Sequence, residues 1–341
     1  MISKGPLLEC VTNFSEGRDK DVIDAIANAV RQVPDVSLLH VDISPAANRT
    51  VMTFAGKPEA VAEAAFQAIK TAGERIDMAK QEGVHPRIGA TDVCPLVPLA
   101  NMTMEEANDW ANKLGRRVGE ELNIPIYLYE HSAKAMHRQA LPDIRKGQYE
   151  GFAEKMKQPE WLPDYGPASF MQSTGVTVLG ARDVLVAFNI SLNTQDVDKA
   201  EYIAVRMRER GYWLKEDGMK TKVPGLLPKL RSIGWYMADF GSAQVSMNLL
   251  DYRITSPLKV WETCKAIAKE IGVELIGSEL IGLMPEVCVL EAGNFALNGA
   301  TATKQETIQK GIEYLGLDKV KPFVAEEKVL EYALQKAGWI Q

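Results

Sequence analysis

Val36-Ser37-Leu38-Leu39-His40-Val41-Asp42-Ile43 reads as a strand of two unlike faces. Successive side chains of a strand point to opposite sides, so Leu39 and Val41 share one face and His40 and Asp42 the other. An apolar helix belongs against the first face; the second carries polar groups. The flanks agree. Upstream, Leu7–Asn13 forms a strand, Ser15-Glu16-Gly17-Arg18 breaks it, and Val22, Ile23, Ile26, Val30 and Val33 recur at helical spacing until Pro34-Asp35. Downstream, Ser44–Asn48 turns the chain into a strand over Arg49–Ala55. Gly56-Lys57-Pro58 opens a helix buried through Val61, Ala65, Ile69, Ala72 and Ile76, and an apolar strand follows over Ile88–Val97. The order β-α-β-β-α-β is the ferredoxin-like unit, one sheet face under two helices and one open.

The pattern recurs. A helix over Thr103–Leu122, a short strand over Ile124–Tyr129 and a helical segment lead to Trp161–Gly175 (WLPDYGPASFMQSTG), a loop placed to link two halves. Val184, Val186, Phe188, Ile190 and Leu192 alternate as a strand, and Thr194 caps a helix to about Arg210. Ser232–Met237 and Ala243–Leu250 form a hairpin around Gly241. Ser256-Pro257 opens a helix ended by Gly272, and Val273–Leu280 is the last strand. The expected fold is α+β: two ferredoxin-like βαββαβ subdomains, residues 1–178 and 179–341, with a helical tail over Lys304–Ala337.

The 341 residues carry a net charge of -6, with 46% hydrophobic and 25% charged residues. That is a globular composition, and a net acidic chain argues against general nucleic-acid affinity. Cys10, Cys94, Cys264 and Cys288 form no CxxC pair and sit in apolar surroundings, as buried free thiols of a reducing, cytoplasmic setting do. Met1–Pro6 has no apolar leader segment, and no apolar run reaches the ~20 residues of a membrane span. No pair of histidines has metal-ligand spacing, and no GxGxxG, GxxxxGK[ST] or GxSxG motif occurs. No metal site and no nucleotide cofactor are expected.

Acid/base chemistry remains. In Gly83-Val84-His85-Pro86-Arg87-Ile88-Gly89-Ala90, Gly83 permits a positive φ, Pro86 keeps His85 extended, and Gly89 and Ala90 let a ligand approach the backbone. A histidine so held suits proton transfer near neutral pH; a plain turn histidine is the alternative. Asp42 has three open roles: orienting the imidazole and raising its pKa, binding a cationic substrate group, or capping the nearby turn. Arg49 and Arg87 suit carboxylate recognition, or are surface arginines. The basic stretch Arg206–Arg231 reads as a solvated helix end and loop, or as a landing zone for a polyanionic tail.

Several stretches strongly resemble the glutamate formimidoyltransferase family: ECVTNFSEGR (Glu9–Arg18), NRTV (Asn48–Val51), HPRIGATDVCP (His85–Pro95), LPDIRKGQYE (Leu141–Glu150), VAFNISL (Val186–Leu192), IGWY (Ile233–Tyr236), AQVSMNLLD (Ala243–Asp251) and GSELIGLMP (Gly277–Pro285). The WLPDYGPASF loop resembles it too. The resemblance implies two βαββαβ subdomains flanking a substrate tunnel in a homodimer. It implies transfer of a formimidoyl group from N-formimidoyl-L-glutamate to tetrahydrofolate, a co-substrate, in histidine breakdown. By the same resemblance His85 matches the catalytic histidine and Asp42 the second-strand aspartate. The folate-contacting loop matches Gly166, Pro167, Ala168, Ser169, Phe170, Met171, Gln172, Ser173, Thr174 and Gly175. His40 stands where relatives carry an acid. The cyclodeaminase part of the bifunctional relatives has no counterpart in the sequence, so release of ammonia is expected to fall to another enzyme. The rival readings are a folate-dependent transferase using N-formylglutamate and a non-catalytic folate-binding module.

Overall fold

A computed structural model describes residue 3, residues 5–216 and residues 218–341. Met1, Ile2 and Lys4 of the N-terminal segment, and Asp217 of the basic stretch, lie outside the described residues. The chain divides into two compact units: Met1–Asp183 with Leu334–Gln341, and Val184–Ala333.

The first unit begins β1 (Leu7–Phe14), α1 (Lys20–Arg31), β2 (Val36–Ser44), β3 (Arg49–Gly56), α2 (Pro58–Arg75), β4 (Thr91–Ala100). Asp19 caps α1 by accepting from the Asp21 and Val22 amides, and proline opens α2. Continuing are α3 (Met104–Glu121), β5 (Ile126–Leu128), α4 (Leu141–Arg145), α5 (Gln148–Lys155) and β6 (Thr177–Ala181). The sheet order is β2-β3-β1-β4-β6-β5. Its first four strands are antiparallel in ferredoxin-like order. Leu8, Cys10, Phe14, Met52, Phe54 and Leu96 face α1 and α2 with Ile23, Ile26, Val61 and Ile69. Register puts the alternate residues Glu9, Asn13, Asp42 and Val51 on the opposite face.

Two expectations shift here. The strand expected from Ile88 starts at Thr91, because the Ile88 amide donates to Asp92 (2.9 Å) and the Ala90 amide to the Thr174 carbonyl (2.8 Å). The loop over Trp161–Gly175 is no linker. It leads into β6, which the sequence reading lacked and which pairs parallel with both β4 and β5. The expected division at 178/179 falls inside that strand, so we place the boundary after Asp183.

The second unit holds β7 (Val186–Leu192), α6 (Val197–Met207), β8 (Tyr212–Glu216), β9 (Met219–Val223), β10 (Leu230–Met237), β11 (Ser242–Leu249), α7 (Pro257–Glu270), β12 (Leu275–Ile281), α8 (Glu286–Leu297), α9 (Lys304–Leu315) and α10 (Ala325–Lys328). α11 (Leu330–Lys336) ends the chain's helices and crosses from the second unit into the C-terminal segment assigned to the first. The order β10-β11-β7-β12 repeats the first unit's antiparallel pattern. Phe188, Ile190, Val245 and Met247 pack with Ile203, Val260 and Cys264. Asn189, Ser191, Gln244 and Glu279 alternate with these and are buried; the Asn189 side chain donates through Nδ2 to the Glu279 carboxylate and the Gln244 side chain through Nε2 to the Ser191 hydroxyl. This is the α+β architecture of two sheet-bearing units and C-terminal helices that the sequence leads one to expect. The basic stretch differs: α6 stops at Met207, and β8 and β9 form a separate hairpin. α8 was also unforeseen, because an almost continuously apolar helix shows no stripe.

All four cysteines are buried and free. Cys10 and Cys94 lie on neighbouring strands with sulfurs 3.5 Å apart. Among the described residues, no helix is long and apolar enough to cross a membrane.

Candidate active site

Three loops of the first unit, one of them carrying His85, are laced into one platform. Asn48, at φ 48° in the β2–β3 turn, accepts from the Gly17 amide (2.9 Å) and donates to the Glu82 carbonyl (2.8 Å). Gln81 donates back to the Asn48 carbonyl at 3.1 Å. Ser15 binds the far end of the histidine turn, its hydroxyl on the Gly89 carbonyl (2.7 Å) and its amide on the Ala90 carbonyl (2.9 Å). The glycines serve close approach within the chain. A Cβ on Gly83 would meet the Ala47 carbonyl oxygen at 2.5 Å, and one on Gly89 the Val176 carbonyl oxygen at 2.0 Å. Gly83 is not at positive φ, and the chain's own backbone occupies the space at Gly89 that the sequence reading gave to a ligand.

His85 is half-buried on this platform. Burial first, then the positive charges of Arg49 and Arg145, hold its imidazole well below the usual histidine range; a hydrogen bond to the Pro86 carbonyl acts in the opposite sense. The ring is therefore neutral at pH 7 and fit to accept a proton. The shift runs opposite to the one that an orienting Asp42, one of its three open roles, would bring. Asp42 is buried and pairs with His40, whose Nε2 lies 3.4 Å from Asp42 Oδ2. Arg49 opens β3 opposite Ser44, within electrostatic reach of the imidazole.

Arg87 is revised. Its side chain is 11% exposed and its fork is closed on protein. Nη2 and Nη1 donate to the two oxygens of Glu150 (2.7 and 3.1 Å), Nε donates to Gln81 Oε1 (2.7 Å), and Nη2 also reaches the Gln81 carbonyl (3.0 Å). A guanidinium so committed fixes the turn rather than a substrate carboxylate. The pairing also holds the Glu150 carboxyl below the usual range.

Asp92 and Arg145 escaped the sequence reading. Asp92 is 1% exposed. One carboxylate oxygen accepts from the Ile88 amide, and the other pairs with Arg145 of α4. A charge inside an apolar strand demands a partner, and that signal was present in Thr91-Asp92-Val93.

The loop Gly166–Gly175 runs from α3 to the histidine turn. Gly166, at φ 83°, packs on Gly119 of α3. Pro167 is half-buried, and Ala168 and Ser169 are exposed. Phe170 lies against Tyr149 (centroids 5.2 Å) and Phe152 (6.5 Å). The carbonyls then take over: Met171 accepts from the Gly175 amide (2.7 Å), Gln172 from the Tyr149 hydroxyl (2.6 Å), Ser173 from the Met78 amide (2.8 Å) and Thr174 from the Ala90 amide (2.8 Å). The structure thus brings Phe170–Gly175 against the His85 turn, while Gly166 sits at the other end of the loop. The carbonyls of residues 171–174 are all engaged in fixing the loop, while the Gln172 and Ser173 side chains are exposed.

The family profile described as "Formiminotransferase domain, N-terminal subdomain" matches residues 7–182, and that described as "Formiminotransferase domain" matches residues 187–335. The glutamate formimidoyltransferase of Streptococcus pyogenes serotype M1 is 40% identical over 291 residues, 85% of this chain and 93% of the relative. That of Thermoplasma acidophilum is 40% identical over 293 residues, 85% and 92% of the two chains. The formimidoyltransferase-cyclodeaminase of Mus musculus is 44% identical over 335 residues, 97% of this chain. The chain spans 60% of the length of that bifunctional relative.

Proposed function

The chain belongs to the formiminotransferase family, and from that premise we propose that it transfers the formimidoyl group of N-formimidoyl-L-glutamate to N5 of tetrahydrofolate, releasing L-glutamate. The observation that carries this reading is a histidine fixed on a backbone-laced turn beside the loop Phe170–Gly175. The donor reacts as its amidinium. N5 of tetrahydrofolate attacks the amidine carbon, forming a C–N bond and a tetrahedral adduct. His85 takes the proton from N5 and passes it to the glutamate nitrogen, whose bond to carbon then breaks. The products are L-glutamate and 5-formimidoyltetrahydrofolate, with no net change in protons or electrons. Asp42 offsets the amidinium charge, and Arg49 holds a glutamate carboxylate. The loop Gly166–Gly175 receives the folate, and alignment of the two substrates supplies much of the rate. The proposal includes a cytoplasmic homodimer.

The test is glutamate release from purified protein with tetrahydrofolate and either N-formimidoyl-L-glutamate or N-formyl-L-glutamate. Folate-dependent release from the first supports the reading; release from the second alone reassigns the donor, and release from neither refutes transfer. Formyl is neutral where formimidoyl is cationic. Asp42→Asn should therefore lower kcat/KM for the formimidoyl donor by about tenfold or more, as expected for a lost charge-assisted contact. Any turnover of the formyl donor should change less. An equal loss on both donors would remove Asp42 from amidinium recognition.

A further inference from the structure

Tyr149 and Glu150 stand outside the roles assigned so far, yet this one dipeptide holds both halves of the site. Glu150 grips the Arg87 fork through both carboxylate oxygens, and the Tyr149 amide donates to the Arg87 carbonyl at 2.9 Å. The Tyr149 hydroxyl meanwhile donates to the Gln172 carbonyl at 2.6 Å, and its ring packs on Phe170. The chain is bent sharply to deliver them: Gly147 and Gln148 take φ 91° and 53°, and a left-handed glutamine is uncommon. Glu150 itself is largely exposed, so it serves no core.

We infer that Tyr149 and Glu150 are positioning residues, a strap that sets the His85 turn against the loop Phe170–Gly175. The inference rests on the transfer reading, in which His85 must meet a nitrogen of a ligand held by that loop. A misplacement of about 1 Å is enough to cost on the order of a hundredfold in rate. Tyr149→Phe cuts the loop end of the strap and keeps the ring; Glu150→Gln weakens the turn end and keeps the shape.

Each variant should lower kcat for glutamate release about tenfold, with KM for N-formimidoyl-L-glutamate little changed. The double variant should be no slower than the worse single one, because both cut the same strap. Two separate structural losses would multiply. Hydrogen exchange gives a readout that needs no turnover: in Tyr149→Phe the Ala90 and Gly175 amides, which bond to Thr174 and Met171, should exchange faster. Wild-type kcat in Tyr149→Phe, or a multiplicative double variant, overturns the strap. Absence of transfer in the unmodified protein refutes the transfer reading instead, and the exchange experiment still decides whether Tyr149 couples loop and turn.

Discussion

Replacing His85 with alanine should cost about two to four orders of magnitude in kcat and leave the fold intact, the range that a positioned acid/base group supplies. The fold is spared because the platform does not depend on the imidazole. Its bonds run through Asn48, Gln81, Ser15 and the backbone of Gly89 and Ala90. KM for N-formimidoyl-L-glutamate should move little, since the histidine acts on the protons in transit. Steady-state kinetics with an unfolding curve separates the two effects. Near-full activity in the folded variant removes His85 from the reaction; an unfolded variant shows the turn to be structural.

The same histidine sets two pH dependences. Burial and two arginines depress its folded pKa, so the imidazole stays neutral well below pH 6.5 and kcat should fall only as pH drops through that lowered value. For stability, the unfolded chain binds a proton near pH 6.5 that the folded chain refuses. The group is therefore neutral for stability above pH 6.5, and stability declines as pH falls from there toward the folded pKa. Unfolding midpoints at several acidic pH values should decline less steeply in His85→Ala. An unchanged slope would show that other groups carry the acid sensitivity.

How much of this was legible follows from where each partner lies in the chain. The stripes of α1 and α2 are local, so the element order of the first unit could be read directly. The parity of Val36–Ile43 holds only from His40 onward: a bulge at Leu39 breaks the alternation, and Leu38 rather than Leu39 joins Val41 on the core face. Register then puts His40 and Asp42 on one face as alternation requires. Arg87 could not be read, because its meaning is Glu150, 63 residues away. The loop Gly166–Gly175 was recognisable by resemblance, but not its attachment to Ala90 or Tyr149, which runs through backbone carbonyls that carry no sequence signal. β8–β9 was readable: Asp217-Gly218 is a hairpin dipeptide, and it lies between Trp213-Leu214 and Thr221. Lysines around it drew the reading toward a solvated loop.

The second large effect is expected in stability, at Arg145. Its guanidinium, 15% exposed, faces the Asp92 carboxylate, which is 2% exposed and holds the Ile88 amide. Arg145→Met keeps the apolar stem but leaves a buried carboxylate with one neutral donor. Breaking a buried pair from one side costs about 3–5 kcal/mol, a large share of the roughly 5–15 kcal/mol that holds a domain folded. Denaturant unfolding of the first unit should show that loss. The double variant Arg145→Met, Asp92→Asn should regain most of it, because no unpaired charge remains and the asparagine oxygen still accepts from Ile88. The pair also sets the chemistry. Removing the Arg145 cation alone takes away one of the two charges that disfavour imidazolium, so the acid limb of kcat should move up in pH in Arg145→Met. A wild-type unfolding midpoint for Arg145→Met would show that the pair holds nothing. A lost midpoint with an unmoved acid limb would confine Arg145 to the fold and leave burial and Arg49 to keep His85 neutral.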